Sequence, residues 1–185
     1  SRGLGDVYKR QYNEDPDKIN RKPIANLYRL APDMSLTHLL SNITVSNGIA
    51  FSQNENIMYF ADTPTGLIRK FEFTHDFKKL QELESNMTFN DVGEPDGATV
   101  DINNNYWSAR VRGKCIICIN TKNGKIIEKI ELPTNTPTCV TFGDTDLSSL
   151  YVTSLRADPV NDAAGGNLHK IKTETKGFKQ LLTDI

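Results

Sequence analysis

Two strings in this sequence place an oxygen-bearing side chain directly before glycine and directly before an apolar run. The first is "TVSNGIAFS", residues 44–52, with Asn47 and Gly48; the second is "GEPDGATVD", residues 93–101, with Asp96 and Gly97. Amide and carboxylate oxygens are hard donors, suited to Ca²⁺ or Mg²⁺ rather than to soft-metal sites. Asn-Gly and Asp-Gly are also ordinary turn formers, because these residues tolerate positive φ. Either string alone reads as a turn. Their recurrence at the heads of successive apolar runs admits a second reading, a shared site reached by both oxygens.

Other groups with chemical potential carry less. His38, His75 and His169 show no H-x-x-x-H or similar ligand spacing. Cys115 and Cys118 form "CIIC", which has metal-like spacing but lies within an apolar β-type run. Positions three apart on a strand face opposite sides, so small buried residues are the expectation there. With Cys139 the cysteine count is odd and low, which is no disulfide framework. "DINNN" puts Asp101, Asn103 and Asn105 at the first, third and fifth places of an EF-hand loop. Tyr106 then stands where that loop needs glycine, and Arg112 where it needs a bidentate glutamate. A tight hairpin turn is the expectation. The loop "RADPVNDAAGG" holds Asp158, Asn161 and Asp162, expected as solvated turn chemistry unless it borders a substrate entrance. No G-x-S-x-G elbow and no phosphate-cradling glycine loop occurs.

The elements that would carry Asn47 and Asp96 are short strands. "GIAFS", "IMYFAD" and "LIRKFEF" form one unit, followed by "GATVD", "YWSAR", "CIICIN" and "IIEKIEL", then "TCVTF", "LYVTSL" and "NLHKI". These β-branched and aromatic runs are bounded by Gly, Asn, Asp and Pro, which is the signal of strands and hairpins. "KNGK" reads as a type I′ hairpin turn. The units repeat: Tyr59, Trp107 and Tyr151 recur at spacings of 48 and 44 residues. A period in the forties built of about four strands is the signature of a β-propeller blade. "NLYRL" matches the third strand of an earlier unit.

Length bounds the count. At about 40–50 residues per blade, 185 residues supply three units and part of a fourth. Closed propellers take roughly four to eight blades, so an arc with its N-terminal part missing is expected. Residues 1–25 match none of the repeats and read as an atypical N-terminal segment, with the propeller portion over 26–185. The composition is globular, 37% hydrophobic and 24% charged, with formal net charge −1. Near-zero charge with both signs interspersed argues against nucleic acid as a partner, and no run approaches the ~18 apolar residues of a membrane span. The sequons at Asn42 and Asn86 matter only in a secreted protein. No apolar signal core precedes residue 24, and the cytoplasm is the expected location. Secretion stays open because the natural N-terminus is expected to be absent.

Six strings in order resemble the SMP-30/gluconolactonase/LRE-like family: "TVSNGIAFS", "IMYFADTPTGLIRKFEF", "EPDGATVDINNNYWSAR", "IELPTNTPTCVTFG", "LYVTSLR" and "AGGNLHKI". The resemblance spans about residues 26 to 180. It implies a six-bladed propeller, of which this chain holds about three and a half blades. It also implies a divalent metal in the central channel, calcium above all, with zinc, magnesium or manganese as alternatives, and hydrolysis of a small-molecule sugar lactone. By that resemblance Asn47 and Asp96 are metal ligands, and Asp96 also handles the proton of the attacking water. The family's E-G-P glutamate ligand and its R-x-N-D-G substrate-binding residues have no counterpart in this sequence. Arg110 and Arg112 follow the Trp107 strand, with the channel mouth and the exposed surface both open to them. A non-enzymatic calcium-binding or interaction propeller and an inactive fragment are the alternative readings.

Overall fold

A computed structural model describes residues 21–53, 56–73, 78–158 and 160–179, together with the backbone of residues 7–10; the side chain of Asn86 is not described. His75, most of the 1–25 segment and the last six residues lie outside the described residues. Fourteen strands are formed: β1 (Val7–Arg10), β2 (Ala25–Leu30), β3 (Leu36–Ile43), β4 (Ser46–Phe51), β5 (Ile57–Asp62), β6 (Leu67–Phe73), β7 (Leu80–Thr88), β8 (Glu94–Val100), β9 (Tyr106–Val111), β10 (Cys115–Asn120), β11 (Lys125–Glu131), β12 (Pro137–Gly143), β13 (Ser149–Ser154) and β14 (Leu168–Lys172). Among the described residues there is no α-helix, and so no helix long and apolar enough to cross a membrane.

The strands form four antiparallel sheets, ordered β1-β2-β3, β4-β5-β6-β7, β8-β9-β10-β11 and β12-β13-β14. The first strands of the last three sheets, β4, β8 and β12, pack side by side in chain order. Between successive sheets lie three apolar layers. Leu27, Ile43, Phe60 and Phe71 fill the first, Tyr59, Ile68, Tyr106 and Ile117 the second, and Trp107, Ile116, Val140 and Val152 the third. Sheets stacked face to face with their first strands together make a propeller-type arrangement. The stacking also explains why "IMYF" and "CIIC" read as continuous apolar runs. A strand buried on both faces has no polar side to alternate with.

The repeat is visible in the register. Tyr59 lies opposite Ala50, Trp107 opposite Thr99 and Tyr151 opposite Thr141, each on the second strand of its sheet. "NLYRL" lies in β2, which pairs outward to β3 as the third strands β6 and β10 pair outward to β7 and β11. β1 pairs with β2, so residues 7–10 of the atypical segment join the first sheet. β3 and β7 gave no clear pattern in the sequence, because outermost strands expose much of their surface and carry polar residues such as "QELES". Backbone pairing holds β7 whatever its side chains, aided by Arg69 donating two hydrogen bonds of 2.7 Å to Glu82.

Three local expectations resolve clearly. Cys115 and Cys118 are buried on opposite faces of β10, in different apolar layers; Cys139, in contrast, is exposed. Asp101 is buried and anchors the "DINNN" turn. Its oxygens accept from the Asn103 and Asn105 amides at 2.9 and 2.8 Å, from the Asn105 side chain, and from Trp107 Nε1 at 3.1 Å. The type I′ expectation for "KNGK" is corrected. Gly124 has positive φ but Asn123 does not, and the β10–β11 loop runs over 121–124 with Asn120 Oδ1 accepting from the Lys122 and Asn123 amides. The Asn120 side chain satisfies donors that a two-residue turn would have left to the ladder.

Candidate functional site

The heads of β4, β8 and β12 share one irregularity. The pairing of each with the next strand shifts register within its first residues, between Asn47 and Ala50, between Pro95 and Ala98, and between Pro137 and Cys139. Such a β-bulge inserts one residue and re-aims the side chains around it. Counting back three places from the residues opposite Tyr59, Trp107 and Tyr151 reaches Asn47, Asp96 and Thr138, each at or within the register shift of its strand. The repeat thus brings Asn47 and Asp96 to equivalent positions on neighbouring strands, at the same end of the sheets.

The glycines set how closely those strands approach. Gly48 has φ +59°, and a Cβ there would press on the Tyr106 hydroxyl and lie 3.4 Å from the Asp96 carbonyl oxygen. At Gly97 a Cβ would stand 2.6 Å from Cys139 Sγ and 2.8 Å from the Thr138 carbonyl oxygen. Each glycine therefore lies where the next first strand passes. In β12 the matching place is Cys139.

Neighbouring groups hold these heads in place. Asp62, at the end of β5, is buried and accepts from the Thr44 and Val45 amides at 2.9 and 2.7 Å, fixing the chain that leads into Asn47. The Tyr106 hydroxyl donates to the Gly48 carbonyl at 2.8 Å across two sheets. Its complete burial pushes its pKa far above the ordinary tyrosine range, so it stays a neutral donor. Thr63 follows Asp62; its amide donates to the Val45 carbonyl at 3.0 Å, and its hydroxyl lies between Asn47 and Pro95. No local signal marks the roles of Thr63, Tyr106 or Asp62, since each acts on a partner 16 or more positions away.

Arg110 is fully buried, which excludes the exposed surface for that residue. Its Nη2 donates to the Phe89 and Gly93 carbonyls, tying down the segment that leads into Asp96, while burial lowers its pKa. Among the described residues its Nε and Nη1 have no partner. Arg112 is exposed and pairs with Glu94. Beside Thr63 a cleft of about 440 Å³ is lined by Asn90, Asp91, Glu94 and Arg112 among others. Asp158 and Asp162 serve their own surroundings. Asp158 accepts from the Val160 and Asn161 amides, and buried Asp162 from Thr134 and the Asn135 amide.

Asn47 and Asp96 bring hard oxygens to adjacent strand heads, which fits Ca²⁺, Mg²⁺ or Mn²⁺ in kind. In number they fall short of the ~6–8 oxygens calcium prefers. Among the described residues no group of three or more His, Cys, Asp or Glu gathers.

Residues 5–156 match the SMP-30/Gluconolactonase/LRE-like region. The chain belongs to the SMP-30/gluconolactonase/LRE-like family. Within that family it is 30% identical over 169 residues to the pentonolactonase XacC of Haloferax volcanii, covering 86% of this chain and 58% of that one. Regucalcin of Danio rerio is 29% identical over 140 residues, covering 75% and 46%. Among solved structures, a luciferin-regenerating enzyme superposes with a TM-score of 0.88 at 25% identity, over 98% of this chain and 62% of that one. The chain thus spans 58%, 46% and 62% of the length of these three relatives, and it shares the propeller-type fold.

Proposed function

We propose that the whole protein is a metal-dependent hydrolase of sugar lactones. In this reading the present chain supplies about three and a half blades of a six-bladed ring, over residues 26–185, and the remaining blades supply the rest of the site. The observation that carries the proposal is the repeat register that puts Asn47 and Asp96 at equivalent positions on adjacent first strands, at one end of the sheets. Relatives named for lactone hydrolysis support it, among them the 6-deoxy-6-sulfogluconolactonase of Pseudomonas putida, 34% identical over 119 residues, 64% of this chain and 40% of that one.

In this mechanism Asn47 and Asp96 hold the cation, most simply Ca²⁺. When bound there, a divalent cation would supply Lewis-acid polarisation of the ester carbonyl and lower the pKa of a water. Asn47 contributes an oxygen without adding charge. Asp96 contributes charge and, in this reading, accepts the proton of the attacking water. A cation-bound carboxylate is a weak base, so its contribution comes from position more than from basicity. The neighbouring cleft, with hydroxyl, amide and charged groups of both signs, suits a small polyhydroxylated ligand.

The test is hydrolysis of a panel of aldonolactones by the full-length protein, before and after chelation and on re-addition of Ca²⁺, Mg²⁺, Mn²⁺ or Zn²⁺. Activity lost to chelator and restored by one of these ions is expected. Calcium binding without hydrolysis of any lactone would favour a non-enzymatic binding propeller. Chelator-resistant hydrolysis would remove the metal from the mechanism.

A further inference from the structure

Thr63 sits between the two candidate ligands. Its Oγ1 is 2.8 Å from Asn47 Nδ2 and 2.9 Å from the Pro95 carbonyl oxygen, next to Asp96. The Pro95 oxygen only accepts, so the single hydroxyl proton of Thr63 is directed to it. What Thr63 then offers Asn47 is a lone pair. The Asn47 amide must present its NH₂ to that lone pair, and its Oδ1 consequently faces away from Thr63. One hydroxyl thus decides which end of the amide is available as an oxygen donor, and ties that choice to the strand carrying Asp96.

We propose that Thr63 is a positioning residue that orients the Asn47 amide and couples it to the Asp96 strand, so that both oxygens serve one cation. The inference rests on the metal-binding reading above. The position is well placed for this task. Thr63 opens a short 3₁₀ turn, Thr63–Thr65, anchored by its own amide on Val45 and closed by Gly66 at φ +69°. Groups that orient a ligand in this way typically change metal affinity ~10–100-fold when removed.

The experiment uses the full-length protein and Ca²⁺ alone, measured by calorimetry, with thermal melting of the metal-stripped protein alongside. Three variants are compared: Asn47→Ala, Thr63→Val, which keeps the shape but loses the hydroxyl, and Thr63→Ser, which keeps the hydroxyl. Asn47→Ala is expected to weaken Ca²⁺ binding. Thr63→Val should weaken it about 10-fold or more, and Thr63→Ser should stay close to the parent. In the Asn47→Ala background, Thr63→Val should add little, because the effect runs through the amide. If Asn47→Ala leaves Ca²⁺ affinity unchanged, the metal reading itself fails. If Asn47→Ala weakens binding but Thr63→Val does not, or if the two losses add in full, the role of Thr63 is overturned and the metal reading stands. Should Thr63→Val not fold, Thr63→Ala removes the same hydroxyl and is read the same way.

Discussion

The heads of β4 and β8 differ from the head of β12 in one telling way. All three shift register near their first residues, and in the first two the residue at or within that shift, Asn47 or Asp96, is followed by a glycine against which the next first strand lies. In β12 the sequence at this place is Thr138-Cys139, and Cys139 is exposed. The register shift therefore belongs to the repeat, whereas the oxygen-plus-glycine pair is confined to β4 and β8. A glycine is required where a neighbour's backbone comes within reach of a Cβ.

The comparison is most sharply tested at the bulge residue itself. In the full-length protein, Asp96→Asn should lower lactone turnover by about 10²-fold or more, and saturating calcium should not restore it. If Asp96 were only a ligand, excess calcium would recover most of the activity. Near-parental turnover at limiting as well as saturating calcium would place Asp96 with Thr138, as a repeat residue and no more.

The glycine half of the pair is tested by stability. Gly97→Ala puts a Cβ within 2.8 Å of the Thr138 carbonyl oxygen and of Cys139 Cα, both backbone atoms that yield only if β12 moves. Overpacking of this kind costs about 1–3 kcal/mol, measurable by urea unfolding. An unchanged midpoint would mean that β8 and β12 are not held as closely as described. The tie across the neighbouring approach is tested by Tyr106→Phe, which leaves the buried Gly48 carbonyl without its donor. A loss of about 1–3 kcal/mol is expected, since an unmet buried acceptor costs more than the bond itself contributes.

The smallest effect is expected at the far end of β12. Just beyond that end, Lys170, Ser149 and Tyr151 hold the Asp144 carboxyl well below its usual range through hydrogen bonds. A carboxylate with a depressed folded pKa stabilises the protein above its unfolded pKa, near 3.9, and the benefit fades as pH falls toward the folded value. Asp144→Asn should therefore lower the melting temperature slightly at neutral pH, and the difference should vanish in strong acid. A difference that grew on acidification would contradict the hydrogen-bonded carboxylate.

Much of this was legible because it is local. Runs such as "IMYFAD", "YWSAR" and "CIICIN", their spacing in the forties, and the strings around Asn47 and Asp96 determined strand content, repeat and family membership. A strand buried on both faces records its surroundings in its own residues, and a repeat records its period along the chain. The outer strands β3 and β7 were not legible, because backbone pairing asks little of side chains. Nor was the burial of Arg110, since a cation inside a sheet interface depends on carbonyls at Phe89 and Gly93, 21 and 17 positions back. Thr63 reaching Pro95, Tyr106 reaching Gly48, and the equivalence of Thr138 with Asn47 and Asp96 exist only once the sheets are stacked. Those relations are distances between strands, and a distance between strands is a property of packing that no single segment carries.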